Sequence, residues 1–187
     1  MEGSRSKPEI AISHLTMEFG EVTAVDGVDL DIARGEVFGL LGPNGAGKTT
    51  TMNVISGLDR PTRGTVSVGG HDAARESGRV HELIGACTQS SSVLPHLTGR
   101  ENVELFAGLH ALCRKEARER ADQLLELVGL SGEKGRRAGK YSEGMKKRLS
   151  LAMALAADPR VVLLDEPTAA MDPQARRAVW DIVRRMK

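Results

Sequence analysis

The sequence predicts an α/β fold carrying a helical insertion. Three observations lead there. VDLDI (28–32) and TVSVGG (65–70) alternate apolar and polar residues, as strands with one wet face do. EVFGLL (36–41) and VVLL (161–164) are continuous apolar runs, which suit strands buried on both faces. Between about 90 and 157 the apolar period lengthens to that of helices.

In chain order, Val28, Leu30 and Ile32 alternate with Asp29 and Asp31. The buried run 36–41 follows and ends at Gly42. Val66 and Val68 mark another strand, closed by a Gly-Gly turn. LIGACTQ (83–89) is an apolar run leaving the core for the insertion. Thr98 and Glu101 then fit a capping box, followed by Val103, Leu105, Phe106, Leu109 and Leu112. Ala117, Ala121, Leu124, Leu125 and Val128 form one helical stripe, with Gly129 where a left-handed stop belongs. SGEKGRRAGK (131–140) reads as a Gly-rich basic linker. A third helix runs from about Ser142 and stops before Asp158, because Pro159 disfavours helix in the residue ahead of it. Asp172 caps a last helix with Pro173 at its first position.

The 187 residues suffice for one domain with a sizeable core, or one domain with a subdomain. Apolar content of 40% with 27% charge marks a globular rather than a disordered chain. Lys+Arg 26 against Asp+Glu 25 argues against a dedicated nucleic-acid binder. Cys87 and Cys113 have no metal-ligand spacing around them and read as free thiols in a reducing compartment. MEGSRSKPEI has no apolar core of a signal peptide, and no run approaches the ~20 residues of a membrane span. Service to a membrane would go through a partner.

GPNGAGKTT (42–50) matches the phosphate-loop pattern through Gly42, Gly47, Lys48 and Thr49. The loop's glycines (Gly42, Gly45, Gly47) let the backbone of Gly42, Pro43, Asn44, Gly45, Ala46 and Gly47 turn tightly and point its N–H groups, which Pro43 alone lacks, inward as an anion nest. The helix expected from about Gly47, through Thr49 and Thr50, adds its positive end. Lys48 reaches β- and γ-phosphates, and the Thr49 hydroxyl ligates Mg²⁺.

Asp165 follows VVLL at the C-terminal end of a buried strand, where open α/β sheets bind ligands. It is the Mg²⁺ partner, directly or through water. Strand alternation would aim Glu166 elsewhere, where it could polarise an attacking water. Alone, the pair could equally be two solvated acids; the upstream loop favours the functional reading. Gln89 ends its apolar run where it could reach the metal shell or the water, or be an ordinary surface glutamine.

YSEGMKKRLS (141–150) sets a bare Ser-Glu-Gly turn and a basic run before an apolar helix. With Phe19, the loop, Gln89, Asp165, Glu166 and the turn Ala169–Asp172, in this order, it resembles the ATP-binding subunits of ABC transporters over nearly the whole chain. The wording of the loop and of YSEGM is similar to bacterial antibiotic and multidrug export ATPases. The resemblance implies a P-loop NTPase fold: a mostly parallel core sheet, an N-terminal antiparallel β subdomain and a helical insertion subdomain. It implies one ATPase domain over 1–187, with 9–89 as the nucleotide-binding part, 90–157 as the helical subdomain and 158–187 as the return to the core.

It also implies ATP and Mg²⁺ as ligands, hydrolysis powering transport, a cytoplasmic-face peripheral location, and an integral membrane permease as partner touched by residues 91–103. Two such domains would pack head to tail, each closing its ATP against the other's Ser142, Glu143 and Gly144. Ser142 is also a plain helix N-cap. Glu143 stands where the family usually has Gly, so its carboxylate should point away or pair with Lys146, Lys147 or Arg148. The run KKR otherwise reads as a solvated helix face. Phe19 would stack on adenine, or pack inward; Asp172 would cross the dimer interface as well as cap. All five histidines precede Glu166, so the family's switch histidine is missing and the chain is expected to be incomplete, binding nucleotide but hydrolysing slowly or not at all. A soluble ABC-type ATPase of DNA repair or translation is the alternative, though neither heptads nor an internal repeat support it. A generic P-loop kinase or GTPase would lack the signature stretch.

Overall fold

The alternation at 28–32 belongs to a longer strand. In the computed structural model, which describes residues 7–87, 92–167 and 173–185, β1 (Ile10–Phe19) and β2 (Val22–Ile32) form an antiparallel hairpin. Its register runs from Ile10 opposite Ile32 to Phe19 opposite Val22. β3 (Arg63–Val68) pairs with the other edge of β1, and β4 (His71–Asp72) pairs with β3, giving the order β2-β1-β3-β4. Leu15, Val66 and Val68 are buried, as are Val54 of α1 (Lys48–Ile55) and Val80 of α2 (Ser77–Leu83). Each such side chain contributes about 1.5–3 kcal/mol by leaving water. These elements form the first of two compact units, which divide between Ile84 and Gly85.

The apolar run 36–41 departs from expectation. It is not a strand, and Val37, Phe38 and Leu41 are exposed. A run apolar on both faces carries no amphipathic preference of its own. It becomes a strand only where sheet edges meet its N–H and C=O groups, and no strand of its own unit does so.

In the second unit, β5 (Ile84–Cys87) and β6 (Val161–Leu164) form a two-stranded parallel sheet. Among the described residues the parallel sheet is thus smaller than the sequence implied. The helices are α3 (Gly99–Leu109), α4 (Arg114–Leu127), α5 (Glu143–Ala154) and α6 (Pro173–Arg185). Val103, Ala107, Ala121, Leu125, Leu149 and Tyr141 belong to one buried cluster. The α4 stripe is buried as expected, and Gly129 (φ 67°) ends it with Leu130 N–H on Leu125 O at 2.7 Å. The α3 stripe is displaced: Asn102 and Val103 are buried, whereas Leu105 and Leu109 face solvent.

The basic linker is folded rather than loose. It forms 3₁₀ turns at Ser131–Glu133 and Ala138–Lys140. Four backbone bonds tie it to residues 95–100: Ala138 N to Leu97 O (2.8 Å), Gly139 N to Pro95 O (2.9 Å), Gly99 N to Arg136 O (3.2 Å) and Arg100 N to Lys134 O (3.0 Å). No described helix is long and apolar enough to cross a membrane.

Candidate functional site: the phosphate loop and the signature turn

The expected site residues fall in both units, and each half is built by its own local rules. In the first unit, α1 starts without a side-chain cap. Its N-cap, Gly47, is left-handed (φ 77°), as is Gly45 (φ 84°). The helix ladder begins with Thr51 N on Gly47 O (2.8 Å), so the N–H groups just before it have no partner within the helix ladder. Such an end favours an anion. Glycine is required at 47 for a second reason: a Cβ there would fall on the Ala24 carbonyl of β2 and lie 3.0 Å from Val25 Cγ2. Lys48 Nζ donates to Gly42 O and Pro43 O, both at 2.8 Å, which arches the side chain back over the loop. Thr49 is exposed on the first turn.

Phe19 ends β1 opposite Val22, on the strand whose Ala24 and Val25 press on Gly47. It is 52% exposed, so the alternative of a ring packed inward does not hold.

In the second unit, Ser142 is the N-cap of α5, and its hydroxyl accepts from Met145 N at 3.2 Å. Ser142 and Glu143 are exposed. The Glu143 carboxylate accepts from Lys146 Nζ at 2.7 Å, the pairing the sequence called for. A Cβ at Gly144 would meet nothing within 4 Å, so the backbone there is open to close approach. The basic run is not simply a solvated face. Arg148 reaches back to Val128 O (3.0 Å) and Gly129 O (3.3 Å), closing the carbonyl end of α4.

Asp165 follows β6, is buried, and donates its N–H to Cys87 O at 2.9 Å. β6 ends at Leu164, so strand alternation does not set Glu166. A left-handed turn does (φ 48°), leaving Glu166 exposed at a backbone cost of about 1–2 kcal/mol. Burial pushes the Cys87 thiol up, tempered by its hydrogen bond to Ser150 Oγ at 3.4 Å. Gln89 and Asp172 lie outside the described residues.

A glycine-made cradle and a Ser-capped signature helix are the pair expected of one family, and residues 25–169 match it as "ABC transporter". The chain belongs to the ABC transporter family. It is 46% identical over 175 residues to the daunorubicin resistance ATP-binding protein DrrA3 of Streptomyces coeruleorubidus, covering 94% of this chain and 55% of that protein. It is 42% identical over 183 residues to human phospholipid-transporting ATPase ABCA7, covering 97% of this chain and 8% of that one. A solved dimeric ATP-binding cassette in a post-hydrolysis state, bound to ADP and Pi, superimposes with TM-score 0.84 at 29% identity, covering 93% of this chain and 81% of that one. The chain spans about half the length of the bacterial drug-resistance relatives it matches. The P-loop NTPase fold is therefore that of the family.

In this ABC chain Thr49 and Asp165, each in its own unit, are residue types that Mg²⁺ takes as ligands. A loop hydroxyl (Thr49) and a carboxylate (Asp165) are hard oxygen donors, and no group of three or more His, Cys, Asp or Glu that could hold a metal occurs among the described residues. Sequence reasoning missed Asn102. Its fully buried amide accepts from Leu94 N (2.8 Å) and donates to Leu94 O (3.1 Å) and Thr98 O (2.9 Å), pinning the loop 94–98. The available signal was a polar residue inside an apolar helical stripe.

Proposed function

We propose that this chain is the ATP-binding and ATP-hydrolysing part of a transporter that works through a separate integral membrane permease, exporting drug-like or antibiotic cargo. The observation that carries the nucleotide reading is the uncapped start of α1 beneath a loop that only glycine can build. The bacterial relatives' names support the export reading. A solved cassette that is dimeric supports the pairing, and a relative named as a phospholipid-transporting ATPase supports the transport role. The location this suggests is peripheral, on the cytoplasmic face.

In this reading the loop Gly42–Thr50 wraps the phosphates, and Lys48 trades its two carbonyl acceptors for phosphate oxygens. Phe19 offers its exposed ring to adenine. Thr49, Asp165 and Gln89 would hold Mg²⁺, which when bound neutralises charge on the transferring phosphoryl group. Glu166 orients and deprotonates the attacking water. A second copy, or a homologous domain, presents Ser142 and the N–H groups of Glu143 and Gly144 to the γ-phosphate, with Asp172 at the seam.

The test is Glu166→Gln. The variant should form a dimer in Mg-ATP on size exclusion and fail to turn over. A species that remains monomeric in saturating Mg-ATP overturns the two-copy site.

A further inference from the structure

The signature turn leaves open what holds Ser142 at its angle. The residue before it, Tyr141, is 4% exposed, and its Oη donates to Glu133 O at 2.7 Å. Its backbone N–H bonds Ala138 O at 3.1 Å, inside the segment zipped to residues 95–100. Its ring tip rests on Gly99, the first residue of α3. A Cβ at Gly99 would fall on Tyr141 Oη and come within 3.2 Å of Cζ. Glycine is thus present at 99 for space: no left-handed φ is recorded there. Asn102, one turn further along α3, fixes Leu94 and Thr98. Tyr141 therefore joins two pieces, the pinned loop 94–98 and the Ser142 N-cap.

We propose that Tyr141, seated on Gly99, is a positioning residue for Ser142, fixing the angle at which the signature turn meets the nucleotide of the opposing copy. The proposal rests on the two-copy reading above. Ser142 sits at extended backbone angles (φ −65°, ψ 162°) directly after Tyr141, so a rotation that lifts the ring off Gly99 swings the hydroxyl at once. Accepting from Met145 N–H uses one lone pair of this hydroxyl and leaves its own O–H available as a donor.

The experiment uses the chain in its Glu166→Gln form. It measures ATP-dependent dimerisation, nucleotide affinity of the monomer, and the Raman doublet of the chain's one tyrosine, which reports whether Oη donates. Gly99→Ala should weaken dimerisation about 10-fold and leave monomer affinity within about 2-fold, with the doublet moving to that of a displaced phenol. Tyr141→Phe should weaken it only about 3-fold, since the ring keeps its seat and loses one hydrogen bond. Adding Tyr141→Phe to Gly99→Ala should restore dimerisation most of the way to that level, because Oη is the worst overlap and only the tighter contact with Cζ remains. Leu124→Ala, a core variant within the same buried cluster as Tyr141, should lower Tm without changing dimerisation. Equal dimerisation in all variants, no rescue in the double variant, or an equal loss in Leu124→Ala overturns the proposal. Should Gly99→Ala not fold, Tyr141→Leu decides: dimerisation like the parent's overturns it, and a loss beyond Tyr141→Phe supports it. Failure of the Glu166→Gln parent itself to dimerise sinks the two-copy reading, and this proposal with it. Failure among the variants alone sinks only this proposal.

Discussion

The phosphate loop and the signature turn each present backbone N–H groups at a helix start, and they reach that end by opposite means. The loop spends conformational freedom: left-handed Gly45 and Gly47, no side-chain cap, and a contact with Ala24 too close to admit a methyl group. The turn keeps ordinary backbone angles and a Ser cap that already satisfies Met145 N–H. An uncapped nest can engulf an anion, whereas a capped one can only touch it. The first suits a resident ligand, the second a partner that arrives late.

Substitutions can sharpen or break that contrast, and their effects should fall in a definite order. Lys48→Ala should cost at least about 100-fold in nucleotide affinity, ~2.7 kcal/mol, measured by titration with a fluorescent ATP analogue. Its effect on Tm should be slight, since the carbonyls it leaves are exposed. Gly47→Ala should destabilise the fold itself by about 2–4 kcal/mol in urea unfolding, summing left-handed strain and overlap with β2. Ser142→Ala should cost about 1 kcal/mol of stability as a lost cap, and abolish ATP-dependent dimerisation while sparing monomer binding. A turn that tolerated alanine without loss of dimer would make the cap its whole purpose.

The smallest effect involves neither helix start. Arg100, and then Lys134, hold the Asp122 carboxyl below its ordinary range. A depressed carboxylate contributes stability that is fully present above its unfolded pKa and lost as pH falls through the folded value. Asp122→Asn should therefore cost under about 1 kcal/mol at neutral pH and flatten the acid limb of Tm against pH.

What the sequence made legible was local. The Thr98–Glu101 capping box, the α4 stripe, the Gly129 stop, the strand at 161–164 and the Glu143–Lys146 pairing all depend on residues within a turn or two of one another. The loop was legible for the same reason: its glycine spacing is its geometry. What stayed hidden depends on distant neighbours. Residues 36–41 carry a strand's composition, but pairing is decided by a sheet edge elsewhere in the chain. Leu105 and Leu109 fit a helical period, yet which side of α3 is covered is decided by α4 and α5, which pack against it. Arg148 looked like a solvated charge because the α4 carbonyls it closes are some twenty residues upstream. Gly99 looked like any helix-start glycine until Tyr141 lay across it.

The burial of Tyr141 has a practical corollary for anyone who heats this protein. The chain has one tyrosine and one tryptophan, and both Tyr141 and Trp180 belong to the second unit. Intrinsic fluorescence will watch that unit alone, while the glycine cradle around Lys48 melts in the dark. A single clean emission transition would then be the testimony of one witness, and far-ultraviolet dichroism or calorimetry is the second.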